Sequence, residues 1–126
     1  MRRDELYLGD IIEAADHIAE FLPGNDFGAF SNSELIRSAV VQKLAIIGEA
    51  AGRISHELRA RYAQVQWSQI VAFRNILIHA YFGTDWNEVW KSATIDCPVL
   101  RKQVANILAE CSGPAEESPG APPKSG

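Results

Sequence analysis

The stretch VVQKLAIIGEAAGRI, residues 40–54, decides the fold. Its apolar residues Val40, Val41, Leu44, Ile47, Ala51 and Ile54 fall on one stripe of a 3.6-residue helix. Just upstream, Ser31-Asn32-Ser33-Glu34 matches a capping box with Ser31 as N-cap, so a helix is predicted from there to about Leu58. Gly48 and Gly52, four apart, each cost a helix about 1 kcal/mol relative to alanine. A close approach by another helix is a physical reason for them to be there.

Outward from this segment the same periodicity repeats. Leu8, Ile11, Ile12, Ala15, Ile18, Ala19 and Leu22 define a preceding helix that Pro23-Gly24 stops, and residues 25–32 read as a loop. A third helix is predicted from Ser68 or Gln69 to about Tyr81, with Ile70, Val71, Phe73 and Leu77 inward and Gly83 as its stop. Asp85, with Glu88 three later, opens a fourth helix carrying Trp86, Val89, Trp90 and Ala93. Asp96-Cys97-Pro98 interrupts the pattern, and a last helix with Val99, Leu100, Val104, Ile107 and Leu108 ends near Glu110. No strand-like alternation of useful length appears. The expected fold is all-α: an up-and-down four-helix bundle with an extra C-terminal helical segment, in one helical domain over residues 1–111. Residues 112–126 are rich in Pro, Gly and Ser, hold no large apolar side chain, and are predicted to be a disordered tail.

Composition narrows the function. With 126 residues, 47% of them hydrophobic, the chain has enough material for one buried core. No apolar run approaches the roughly 18 residues of a membrane span, and Met1-Arg2-Arg3-Asp4-Glu5 does not open a signal peptide. A soluble, cytoplasmic protein with no membrane association is expected. Two cysteines and three histidines make neither a disulfide framework nor a zinc cluster, so no metal or cofactor is expected. The net charge of −4 argues against an extended polyanion-binding surface. The charge is uneven, though. Residues 31–62 hold Arg37, Lys43, Arg53, Arg59 and Arg61 against three acids, which leaves a local basic surface open.

The chemistry lies in AFRNILIHAYFG, residues 72–83, which contains Arg74, His79 and Tyr81 as Arg-x4-His-x-Tyr. Composition alone places an Arg five residues before a His in roughly one such chain in five, and adds the tyrosine in roughly half a percent. The longer pattern is therefore the informative one. On an ideal helix Arg74 and His79 lie about 140° apart. They meet if the helix loosens near His79, if the arginine curls round, or if two copies face each other across a symmetry axis. An imidazole exchanges protons near neutral pH, and a guanidinium grips phosphate through two N–H bonds. That pair suits cleavage of RNA by its own 2′-hydroxyl, giving a 2′,3′-cyclic phosphate and a 5′-hydroxyl and leaving DNA inert. The plainer reading makes His79 a cap for helix carbonyls and Arg74 an ion-pair partner of Glu49 or Glu88.

The segments Leu44–Arg53, Ile70–Gly83 and Trp86–Trp90 resemble the HepT-like branch of the HEPN superfamily, and the resemblance extends over about residues 4–110. It implies a small all-α endoribonuclease toxin of a type VII-like toxin–antitoxin pair, encoded beside a minimal nucleotidyltransferase antitoxin of the MntA type. It also implies a homodimer whose paired motifs form an RNA cleft, metal-independent cleavage by Arg74 and His79, and silencing by AMPylation of Tyr81. An added AMP brings bulk and negative charge beside the catalytic pair, which blocks the cleft to RNA phosphate. By the same resemblance Asn75 helps to orient the phosphate, and Glu49 orients Arg74 or pairs with it.

Other residues default to structure. Trp67, Trp86 and Trp90 are expected as core or interface anchors, His17 and His56 at the surface, and Cys97 and Cys111 as reduced, inert thiols. Arg53, Arg59 and Arg61 form either a rim that guides RNA or a solvated face. The rival function is a non-catalytic, dimeric helical subunit that docks a nucleotidyltransferase.

Overall fold

The helix predicted around residues 40–54 is the hub of the molecule. The computed structural model describes residues 2–76 and 85–111. In chain order these form α1 (Arg2–Phe21), α2 (Phe27–Ser31), α3 (Glu34–Gly52), α4 (His56–Arg61) and α5 (Trp67–Val71), then a 3-10 turn at Ala72–Asn75. After residue 85 come α6 (Trp86–Lys91), a π-helical turn at Ser92–Asp96 and α7 (Cys97–Cys111). The expected all-α fold is the fold found. The end of the third predicted helix, with Leu77, His79, Tyr81 and Gly83, and the tail at 112–126 lie outside the described residues.

α3 packs on α1 along one side and on α5 and the 3-10 turn along another, while α1 also packs on α7. The core is what the stripes predict: Leu8, Ile11 and Ile18 of α1, Val40, Leu44 and Ile47 of α3, and Leu100, Val104 and Ile107 of α7 are all buried. Phe30 of α2 is fully buried and contacts the Trp86 and Trp90 rings at centroid distances of 6.1 and 5.2 Å. These edge and tilted geometries are the favourable ones for aromatic pairs. Gly24, at φ 77°, makes the left-handed turn that follows α1.

Four boundaries differ from expectation, each for a physical reason. The loop at 25–32 contains α2, because Asp26 caps it by accepting a bond from the Ala29 N–H at 2.9 Å. Ser31 is consumed as the last residue of α2, so the N-cap of α3 is Ser33, which accepts from the Ile36 N–H at 3.1 Å. α3 ends at Gly52 rather than near Leu58. There Ser55 caps the separate helix α4, and the buried Asp4 of α1 accepts bonds from the Ser55 N–H (2.9 Å) and hydroxyl (2.7 Å). Finally, Asp96-Cys97-Pro98 does not break the chain's helical path. Pro98 has no N–H and its ring would press on the carbonyl four residues back. The backbone widens instead into the π turn, with the Cys97 N–H bonded to the Ser92 carbonyl, and continues as α7.

Candidate functional site

Arg74 sits on the 3-10 turn, pressed against α3 at the two glycines. A Cβ placed on Gly48 would stand 2.4 Å from the Arg74 backbone nitrogen and 2.9 Å from the Val71 carbonyl oxygen, so only glycine admits the turn at this depth. A Cβ on Gly52 would meet the Arg74 Nη1 atom at 3.4 Å. The close approach expected from the Gly48–Gly52 spacing is therefore made, and its cargo is Arg74. At residues 72–75 the helix tightens into a 3-10 turn around the arginine itself, while the loosening expected near His79 falls outside the described residues. The angular argument built on a straight helix thus does not apply from Arg74 onward.

The guanidinium of Arg74 is exposed, and no carboxylate pairs with it among the described residues. Glu49, expected to orient or pair with Arg74, instead holds Arg53 at 3.1 Å, one turn along α3. The neighbouring Tyr7 hydroxyl and the Glu49 carboxylate both raise the pKa of the Arg53 guanidinium. Asn75 is exposed beside Arg74. His79 and Tyr81 lie outside the described residues.

The remaining bases of residues 31–62 sort clearly. Arg59 donates to the carbonyls of Ala51 (3.0 Å), Gly52 (2.8 Å) and Ile54 (3.2 Å), satisfying the orphan acceptors at the end of α3. Arg37 donates to the Ser31 carbonyl and lies over the Trp86 ring, 5.0 Å from its centroid. Arg61 is exposed at the end of α4. Of the three arginines read as a possible rim, Arg59 is a helix cap.

Trp67 is buried and donates its indole N–H to the Tyr62 carbonyl at 3.0 Å, an anchor as expected. His17 departs from expectation. It is half-buried, stacks on Phe21 at 6.4 Å, and its Nδ1 has no hydrogen-bond partner among the described residues. His56 is exposed at the start of α4. Burial pushes the Cys97 thiol up to about 12, which leaves it protonated and unreactive. The Asp4–Ser55 bond was not foreseen, since its partners are 51 residues apart and no local pattern announces it.

The described residues make an all-α domain in which Arg74, unpaired among those residues, is bedded on the Gly48–Gly52 ridge. The comparisons carry this further. The family described as "Ribonuclease HepT-like" matches residues 11–107. The chain is 41% identical over 104 residues to "Putative RNase MJ1380" of Methanocaldococcus jannaschii, covering 82% of this chain and 95% of that one. It is 34% identical over 118 residues to "Putative RNase MJ1216" of the same organism, covering 93% and 98% of the two chains. It is 37% identical over 95 residues to "Probable ribonuclease HepT" of Thermococcus cleftensis, covering 75% and 86%. No solved structure matches. The chain belongs to the HepT-like family of the HEPN superfamily, and with it to an enzyme class, the ribonucleases. Among the described residues no helix is long and apolar enough to cross a membrane.

Proposed function

We propose that the protein is the endoribonuclease toxin of a toxin–antitoxin pair, acting as a homodimer in which Arg74 and His79 of each copy serve a shared RNA cleft. The observation that carries this reading is the exposed Arg74 guanidinium, free of any carboxylate among the described residues and bedded by its own backbone on α3. Arg59 and Arg101 are engaged within the protein and Arg61 is open at the end of α4; Arg74 is open and also seated by its backbone on Gly48. An arginine kept for phosphate has to be left open.

The chemistry follows from the two side chains. The ribose 2′-oxygen attacks phosphorus, the bond to the 5′-oxygen breaks, and a 2′,3′-cyclic phosphate and a 5′-hydroxyl result. His79 handles the proton of the attacking or leaving oxygen, and Arg74 stabilises charge on the phosphoryl oxygens, with Asn75 beside it to orient the phosphate. Glu49 acts one step back, by fixing Arg53 next to Gly52. Silencing is AMPylation of Tyr81 by a nucleotidyltransferase antitoxin of the MntA type. Of the other two tyrosines, Tyr62 is engaged as a hydroxyl donor to Glu110 at 2.6 Å.

Purified protein incubated with RNA in EDTA is expected to leave 2′,3′-cyclic phosphate ends. Arg74→Ala and His79→Ala are expected to lose at least a hundredfold in rate with the circular dichroism spectrum unchanged. Intact wild type that binds a nucleotidyltransferase yet leaves RNA whole would establish the docking subunit instead. Tyr81→Phe is expected to stay toxic and gain no AMP on co-expression, and an adduct mapped to Tyr7 or Tyr62 would refute the assignment to Tyr81.

A further inference from the structure

On the side of the 3-10 turn away from α3, Phe73 faces a groove of about 240 Å³ between α5 and α7. Its floor is apolar, formed with Ile70, and its walls carry side-chain amides from both sides: Gln66 and Gln69 at α5, and Gln103 on α7. Asp96, at the last position of the π turn, completes the wall. Among the described residues none of these amides makes a hydrogen bond within the protein, and no lysine or arginine lines the groove. An apolar slot rimmed by unpaired amides and one carboxylate is wrong for phosphate. It fits a flat heterocycle with donors and acceptors on its edge.

We propose that this groove holds a nucleobase of the RNA next to the phosphate that Arg74 grips, and that it selects bases bearing an exocyclic amino group over uracil. Its placement rests on the ribonuclease reading: Phe73 and Arg74 are consecutive on the 3-10 turn, and a strand that crosses the turn would meet both. The selectivity rests on Asp96. A carboxylate only accepts, so it takes the amino group of cytosine, adenine or guanine. Uracil turns two carbonyl oxygens and a single N–H to that edge, and its oxygens are repelled. A glutamine amide offers one donor and one acceptor together, which suits the amino and ring-nitrogen pair of the favoured bases. The π turn has a function in this account, for it sets Asp96 on the groove while the helix runs on past Pro98.

The test pairs cleavage with binding on the full-length protein. A random-sequence RNA pool is cut and the new ends are sequenced, and labelled oligocytidylate and oligouridylate are titrated by fluorescence anisotropy. These two ligands have the same ring size and differ at the exocyclic group. Wild type is expected to disfavour uracil about tenfold at one position beside the cut and to bind oligocytidylate about tenfold more tightly. Asp96→Asn, which gains a donor, and Gln103→Ala are each expected to shrink both ratios to about twofold. Ratios unchanged in both variants, or no base preference in wild type, would overturn the proposal. Should wild type cut nothing, the ribonuclease reading fails on its own: oligocytidylate preference lost in Asp96→Asn would keep the groove as a base site, and equal binding would remove it.

Discussion

α3 is packed in two different ways on its two sides, and the contrast explains where the molecule is tolerant and where it is not. On its core stripe, with α1 packed alongside, it presents Val40, Leu44 and Ile47, all fully buried. Toward the 3-10 turn it presents Gly48 and Gly52, and at Gly48 backbone lies against backbone. The first contact derives its stability from buried area and can absorb changes of shape by adjusting rotamers. At Gly48 the second has no side chain to adjust. What it fixes is the position of Arg74. The α1 side stabilises the protein; the glycine side aims it.

The largest expected effect comes from Gly48→Ala. The new methyl would stand 2.4 Å from the Arg74 nitrogen, a backbone atom that cannot swing aside. The turn must move outward by an ångström or so, at a cost of about 3 kcal/mol in stability. A displacement of that size costs catalysis about a hundredfold. The next effect is opposite in character. Leu44→Ala removes a fully buried side chain of the α1 face and is expected to cost about 3 kcal/mol with kcat/KM unchanged in the protein that remains folded. Urea unfolding and RNA cleavage, measured on both variants, separate the two faces. Equal activity losses at matched stability would erase the distinction.

The same contrast sets what was legible in the sequence. The α1 face was readable because a hydrophobic stripe is a local pattern of period 3.6, and the helices of the core follow it. The glycine spacing announced a close approach but did not say what approaches. That a 3-10 turn forms at Ala72–Asn75 has no local signal, since no proline or glycine lies there; the deep seat on Gly48 accompanies it, and Gly48 is distant in sequence. The end of α3 was missed for a similar reason, as Ser55 is organised by Asp4 from the other end of the chain. Ser31 was misread because two serines compete in Ser31-Asn32-Ser33, and the choice between them depends on Asp26 having begun a helix first. Of the candidate site, Arg74 was singled out by the motif, whereas its exposed setting without a carboxylate partner among the described residues was not. Nor was the pairing of Glu49 with Arg53, although the two are four apart on one helix and that spacing alone favours an ion pair.

The smallest expected effect is the sharpest test of how Arg74 is held. At Gly52 the added methyl meets the far end of the arginine, Nη1 at 3.4 Å, and the Val71 Cγ1 atom at 3.7 Å. Both can yield by a few tenths of an ångström, and the arginine backbone need not move at all. Gly52 lies at the end of α3 with no left-handed torsion to preserve, so alanine removes some chain entropy from the unfolded state. Gly52→Ala is therefore expected to leave stability unchanged or raise it by up to about 0.5 kcal/mol, while kcat/KM falls about threefold as the guanidinium is nudged off its bed. If Gly52→Ala instead matches Gly48→Ala in lost activity, the guanidinium end rather than the backbone fixes the aim of Arg74, and the site is held by the tip of a side chain. If it costs nothing at all, the guanidinium is free to sample its own positions, and the backbone contact at Gly48 alone places the phosphate grip.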